Sequence, residues 1–397
     1  VPRRGVSSAE IFFAGATVAH SKFSRREFSA ALGKSLATAL AIPGLSTVLD
    51  ATDRKPVPDG TIRLNFNENP YGPSPKAMAT LADCGKLASR YADEAALELT
   101  DSLAKMYGVA RGNVALGCGS TEILRAADVT FLGPGKNVVV ADPTFEAVLD
   151  YARAMRGDTV RVPLTPDYRH DLPKMAATCT SKTGVLYICN PNNPTGTIVT
   201  RDEMAACIQA VPPATLVLVD EAYNDFATDP RYASAIEFIP KYPNVLVART
   251  FSKIYGMAGM RLGYAIGAKE QIARISAQFL QDNTNAAVLA AALASLHDPQ
   301  NIASCRERLV ATRTWLCGGL AQDGRAFIPS HANFVMIDMG SDVQPFIDRF
   351  KTEDILVGRK FPSMPNFMRV TIGTRPETEA FLTALRRIAP AQKSKAA

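Results

Sequence analysis

A chain of 397 residues, 47% hydrophobic and 21% charged, carries more apolar material than one ordinary domain buries, so two lobes are expected. The formal net charge is +6, and beyond the N-terminus the charges are mixed in sign, with no basic block interleaved with aromatics; nucleic acid is not the expected partner. Mean hydropathy near zero, with no long apolar run after the N-terminal segment, argues against stable membrane insertion. The seven cysteines form no CxxC pair and have no neighbouring histidines, so no metal site is expected.

Residues 1–45 read as a signal peptide. Arg25 and Arg26 precede Phe28 and an alanine-rich, modestly apolar stretch, similar to a bacterial twin-arginine signal, and Ala39-Leu40-Ala41 offers small residues for cleavage. The expectation is export to the periplasm, with a cytoplasmic location as the alternative. A longer stretch than usual precedes the arginines, and an amphipathic N-terminal helix would also account for the pattern.

From about residue 60, helix and strand signals alternate, the pattern of an α/β protein. The spacing of Ala96, Leu99, Leu103 and Met106 predicts a helix over 93–107. A short strand at 114–117, a Gly-Ser turn and a helix over 121–131 follow. Aliphatic or β-branched runs at 137–141, 159–162, 184–189, 215–219 and 245–248 suit a mostly parallel sheet buried on both faces, and 261–266 adds a strand, giving seven. After residue 300 the pattern changes to a long helix (301–320), a strand (333–338), a helix (343–351) and a strand (368–372), a smaller α+β domain that the segment 59–82 is expected to join. The expected divisions are 46–85 for linker and N-terminal part of the small domain, 86–295 for the large domain, 296–390 for the C-terminal small domain, and a disordered tail at 391–397.

Four motifs concentrate chemistry. Thr250-Phe-Ser-Lys253 places an amine just beyond an aliphatic strand, as a Schiff-base lysine requires, and Thr250, Ser252 and Arg261 supply two hydroxyls and a guanidinium suited to a phosphate dianion. Val219-Asp220-Glu221-Ala222-Tyr223 ends a buried strand in an acid able to pair with a pyridinium nitrogen, although such a residue standing alone would better be read as a helix cap. Asn190-Pro-Asn-Asn-Pro-Thr-Gly196 is a rigid turn that can aim the Asn193 amide at a phenolic oxygen. Gly117-Cys-Gly-Ser-Thr-Glu122 joins strand to helix start, where Gly119, Ser120 and Thr121 can hold a phosphate.

In this order, GCGSTE, DPTF, NPNNPTG, VDEAY, TFSK and GMRLGY resemble the class I/II aminotransferases of the aspartate aminotransferase superfamily (PLP fold type I) over roughly residues 60–390. Asn67-Glu-Asn-Pro-Tyr-Gly-Pro73 and Arg369-Val-Thr-Ile-Gly-Thr374 are similar to the histidinol-phosphate aminotransferase branch. The resemblance implies pyridoxal 5'-phosphate carried as a Schiff base on Lys253, which also shuttles the proton. It implies Asp220 at the pyridine nitrogen, Asn193 and Tyr223 at the ring oxygen, and Ser120, Thr121, Ser252 and Arg261 at the phosphate. Phe145 falls where the family stacks an aromatic ring over the pyridine. Tyr91 matches a tyrosine that the second subunit contributes to the phosphate, although the family's Arg-Tyr-Pro is Arg-Tyr-Ala here, so a homodimer is expected. Arg369 matches the clamp on the substrate carboxylate.

The implied substrates are an amino acid, or an amine like histidinol phosphate, and a 2-oxo acid. One departure bears on the choice. The branch commonly reads Gly-Ile-Leu-Val-Arg, its arginine binding substrate phosphate, whereas this chain reads Ile355-Leu-Val-Gly-Arg359, one residue displaced. That displacement, and the expected export, point to another amino acid, aromatic or specialised. A decarboxylase or lyase on the same fold is the alternative within enzymes; a non-catalytic regulator that binds the cofactor is a further one.

Overall fold

The computed structural model describes residues 57–390; the predicted leader and the C-terminal tail lie outside them. In chain order the strands are β1 (Ile62–Leu64), β2 (Val114–Gly117), β3 (Asn137–Asp142), β4 (Asp158–Pro163), β5 (Thr183–Cys189), β6 (Leu216–Asp220), β7 (Val245–Thr250), β8 (Gly263–Gly267), β9 (Phe327–Ile328), β10 (Phe334–Asp338), β11 (Ile355–Val357) and β12 (Phe367–Thr371). A seven-stranded sheet has the order β2-β8-β7-β6-β5-β3-β4. Strand β8 pairs antiparallel with both neighbours, and the other six run one way.

The continuous apolar runs of β5, β6 and β7 follow from burial on both faces. Leu186, Ile188, Val217, Val219 and Val247 point into one core, while Val185, Tyr187, Leu218, Leu246 and Ala248 point into the other. Helices cover both. Asp93–Tyr107 stops at Gly108, whose φ of 64° is the left-handed C-terminal turn that glycine adopts freely. Arg201–Ala210 starts at a reciprocal cap in which Thr200 accepts from the Glu203 amide and Glu203 accepts from Thr200.

In the small lobe β10 lies between β12 and β9, all antiparallel, and β1 pairs in parallel with β11. Helices Pro299–Gln322 and Arg375–Ile388 close its core. Tyr223, Phe226 and Ile254 from the large lobe are buried in that same core, so it locks the turns after β6 and β7 in place.

The segment 59–82 does not join the small lobe as a unit. Its strand β1 does, but the helix Pro75–Ala82 packs on Ala286–Leu296 and buries Ala77 in the large-lobe core. Small side chains on both helices permit that approach. The strand expected at 261–266 begins at Gly263; Arg261 precedes it in a turn with φ of 63°.

Candidate active site

In parallel sheets, functional groups gather at the carboxyl ends of the strands. Here β3 leads to Phe145, β5 to Asn193, β6 ends in Asp220, β7 leads to Ser252 and Lys253, and β2 leads to Ser120 and Thr121. The reversal of β8 brings its beginning, not its end, to this rim: Gly263 pairs with Gly117 on one side and Thr250 on the other. Arg261 is thereby delivered to the same place. Ser120, Thr121, Phe145, Asn193, Asp220, Tyr223, Thr250, Ser252, Lys253 and Arg261 line one cavity, together with Cys189, Ala222 and Ala258.

Hydroxyls and a guanidinium converge in this cavity. Arg261 Nη2 donates to Thr121 Oγ1 at 3.3 Å, and Thr250 Oγ1 donates to Ser252 Oγ at 2.9 Å. Two glycines make room for them. A Cβ on Gly119 would stand 2.2 Å from Arg261 Nη2, and one on Gly263 would stand 2.3 Å from the Ser120 amide nitrogen. The backbone thus closes to distances only glycine allows, around the start of helix Ser120–Phe131, whose free N–H groups favour an anion.

Asp220 is 3% exposed. Its Oδ2 accepts from the Tyr187 hydroxyl at 3.0 Å and its Oδ1 from the Ala222 amide at 3.1 Å. Burial raises its pKa to about 6, against the pull of those two donors and of Lys253. Lys253 Nζ donates to the Phe66 carbonyl at 3.2 Å and lies 5.6 Å from the Tyr223 ring centroid. Desolvation, then the positive charge of Arg369, lowers its pKa to about 8, which brings the free amine within reach near neutral pH.

The Tyr223 hydroxyl accepts from Asn67 Nδ2 at 3.0 Å and from Asn193 Nδ2 at 3.4 Å. Asn193 Oδ1 in turn accepts from Arg369 Nη1 at 2.7 Å, and Arg369 Nη2 donates to the Asn65 carbonyl at 2.9 Å. Arg369 is therefore buried and fixed. Burial lowers its pKa to about 10, still fully charged at neutral pH. Arg359 stands outside the cavity in an ion pair with Glu146. Gly119 adjoins the cavity through Arg261, whereas Tyr91 is 81% exposed and not part of its wall.

Asn67, Tyr187, Glu146 and Cys189 are residues to which sequence reasoning gave no place at the site. Asn67 had a signal, since it opens the Asn-Glu-Asn-Pro-Tyr-Gly-Pro motif. Tyr187 had none, being one more large side chain in an apolar strand. Among the described residues no group of histidines, cysteines or acids is placed to hold a metal, and no helix is long and apolar enough to cross a membrane.

A fold of this kind with a lysine, a buried acid and a phosphate cradle on one strand rim defines a cofactor-dependent enzyme of the vitamin B6 class. The aminotransferase class I and II family matches residues 59–385, and the chain belongs to it. It is 38% identical over 330 residues to the histidinol-phosphate aminotransferase of Moorella thermoacetica, covering 82% of this chain and 85% of that one. It is 36% identical over 343 residues to an aromatic amino acid aminotransferase of Nocardia farcinica, covering 86% and 95%. The crystal structure of histidinol-phosphate aminotransferase from Sinorhizobium meliloti in complex with pyridoxal-5'-phosphate superposes with a TM-score of 0.79 at 26% identity, covering 94% of this chain and 99% of that one. The donor set here fits that cofactor: hydroxyls, a guanidinium and a glycine-lined cradle for a phosphate monoester, a buried acid for a ring nitrogen, and an amine for an aldehyde.

Proposed function

We propose that this chain is a pyridoxal-phosphate-dependent aminotransferase moving an amino group between an amino acid and a 2-oxo acid, with Lys253 as the residue that holds the cofactor and carries the proton. One observation carries the reading: an amine with its pKa lowered to about 8 shares a cavity with a buried carboxylate and a hydroxyl–guanidinium cradle. When bound, the cofactor supplies an electron sink for negative charge developing at the substrate Cα.

The chain's own groups do the rest. Ser120, Thr121, Thr250, Ser252 and Arg261, with the backbone at Gly119, hold the phosphate. Phe145 would cover the ring, Asp220 would pair with its nitrogen, and Asn193 and Tyr223 would hold its oxygen. Arg369, held rigid by Asn193 and Asn65, clamps the α-carboxylate. Retaining that carboxylate favours proton transfer over decarboxylation. Lys253 would hold the cofactor's aldehyde carbon and, as a free amine, would move the proton at the substrate Cα.

Two features support a substrate other than histidinol phosphate. Arg359 is displaced by one residue from the branch's pattern, and it is already paired with Glu146. The preferred substrate on this reading has an uncharged, aromatic side chain. The working unit is a homodimer in which Tyr91, exposed on one subunit, reaches the other's phosphate. Export through the twin-arginine route remains part of the proposal, supported by Arg25 and Arg26; a reporter fused to residues 1–45 should be exported, and cytoplasmic retention of that fusion would end the idea.

The deciding experiment loads purified protein with pyridoxal phosphate and adds single amino acids. The cofactor's visible band should disappear as it takes up the amino group, aromatic amino acids acting faster than histidinol phosphate. Lys253→Ala should lose both the protein-linked band and turnover. An alanine variant that still transferred amino groups would refute the mechanism.

A further inference from the structure

The acid next in the chain to the cavity residue Phe145 is assigned no contact with cofactor or substrate above. Glu146 directly follows Phe145, at the start of helix Ala147–Ala154 in the large lobe. Its carboxylate pairs with the guanidinium of Arg359, which follows β11 in the small lobe. The Arg359 guanidinium carbon lies 4.4 Å from the centroid of the Phe361 ring, and that of Arg369 lies 5.2 Å from the same ring. One aromatic ring thus touches two cations of different character. Arg369 is buried and bonded to Asn193 and Asn65. Arg359 is 53% exposed at its side chain, so it can move, and it carries its own counter-ion in Glu146.

We propose that Glu146 is a specificity-determining residue, which neutralises Arg359 while an uncharged substrate side chain is bound and must be displaced before an anionic one can pair with that arginine. This rests on the aminotransferase reading and names the side-chain class that the site selects. The Phe361 ring touches both Arg369 and Arg359, so on this proposal a side chain extending toward it from an α-carboxylate held at Arg369 approaches the Glu146–Arg359 pair. A neutral side chain meets a compensated charge. A phosphate or second carboxylate meets a carboxylate of its own sign and has to compete for the guanidinium. Specificity is a difference of affinities, and here it is set against one class of ligand by a like charge.

The effect is modest because the pair is half exposed and salt-screened. Removing the competitor should tighten an anionic ligand about fivefold, equivalent to about 1 kcal/mol.

The test uses the cofactor-loaded protein and two probes without an amino group: 3-phenylpropanoate, with one carboxylate and a ring, and glutarate, with two carboxylates. Calorimetry compares the unmodified protein, Glu146→Gln, Arg359→Leu and the double variant. Glu146→Gln should tighten glutarate about fivefold and leave 3-phenylpropanoate within twofold. The gain should shrink at high salt and vanish when Arg359 is leucine. Equal changes for both probes, no change for glutarate, absence of binding by either probe, or a gain that survives Arg359→Leu would each overturn the proposal. Those outcomes are separate from the amino-group transfer assay, whose failure would sink the aminotransferase reading and leave the ratio of the two probes standing.

Discussion

Replacing Tyr187 with phenylalanine removes one oxygen and keeps the ring that β5 buries. The lost hydroxyl is the donor to Asp220 Oδ2 at 3.0 Å, and Oδ1 keeps only the Ala222 amide at 3.1 Å. At 3% exposure no bulk water replaces it. A hydrogen bond to a buried charge is worth roughly 1.5–3 kcal/mol. At about 1.36 kcal/mol per unit, that raises the Asp220 pKa by roughly one to two units. Burial already holds this carboxyl at about 6, so in the variant it is half or more protonated at neutral pH and loses much of its attraction for a pyridinium nitrogen. The expected result is pyridoxal phosphate affinity roughly two- to tenfold weaker at pH 7, with the gap narrowing as rising pH ionises Asp220 again. Equilibrium titration of the apoprotein with the cofactor from pH 6 to 9 measures it. Equal affinity for both proteins across that range would refute the reasoning.

The Lys253 amine, lowered to about 8 by desolvation and then by Arg369, is protonated below that pH and free above it. Capture of the cofactor by apoprotein should therefore accelerate with pH through about 8 and then level off; a rate independent of pH would contradict the assignment. Gly263→Ala places a Cβ 2.3 Å from the Ser120 amide and should push the helix start out of position. The preference for pyridoxal phosphate over pyridoxal, measured by competition, should fall at least tenfold. Arg249→Met leaves the Glu221 carboxylate buried without the guanidinium now 2.7 Å away, which should cost about 3–5 kcal/mol in urea unfolding.

Local pattern was enough to place elements whose whole signal lies in adjacent residues. The helix Asp93–Tyr107 and the strand Val114–Gly117 fall where apolar spacing and glycine placement put them. The residues of the cavity were legible for a related reason, since they follow strand ends in short, unusual motifs. Partnerships across the fold were not. Nothing near Tyr187 marks its bond to a residue 33 positions on, and nothing near Glu146 marks Arg359, 213 positions away. The helix Pro75–Ala82 was misplaced because an apolar face shows that a helix packs but not on what; the alanines of Ala286–Leu296 supplied the partner.

The single reversed strand has a consequence for assembly. Thr121 and Arg261, which touch in the cradle, are 140 residues apart in the chain, and they meet only once β8 has inserted between β2 and β7. A growing or half-folded polypeptide that has laid down only the earlier strands offers no complete anchor for a dianion. A complete cradle for the vitamin's phosphate therefore requires the central sheet to be closed.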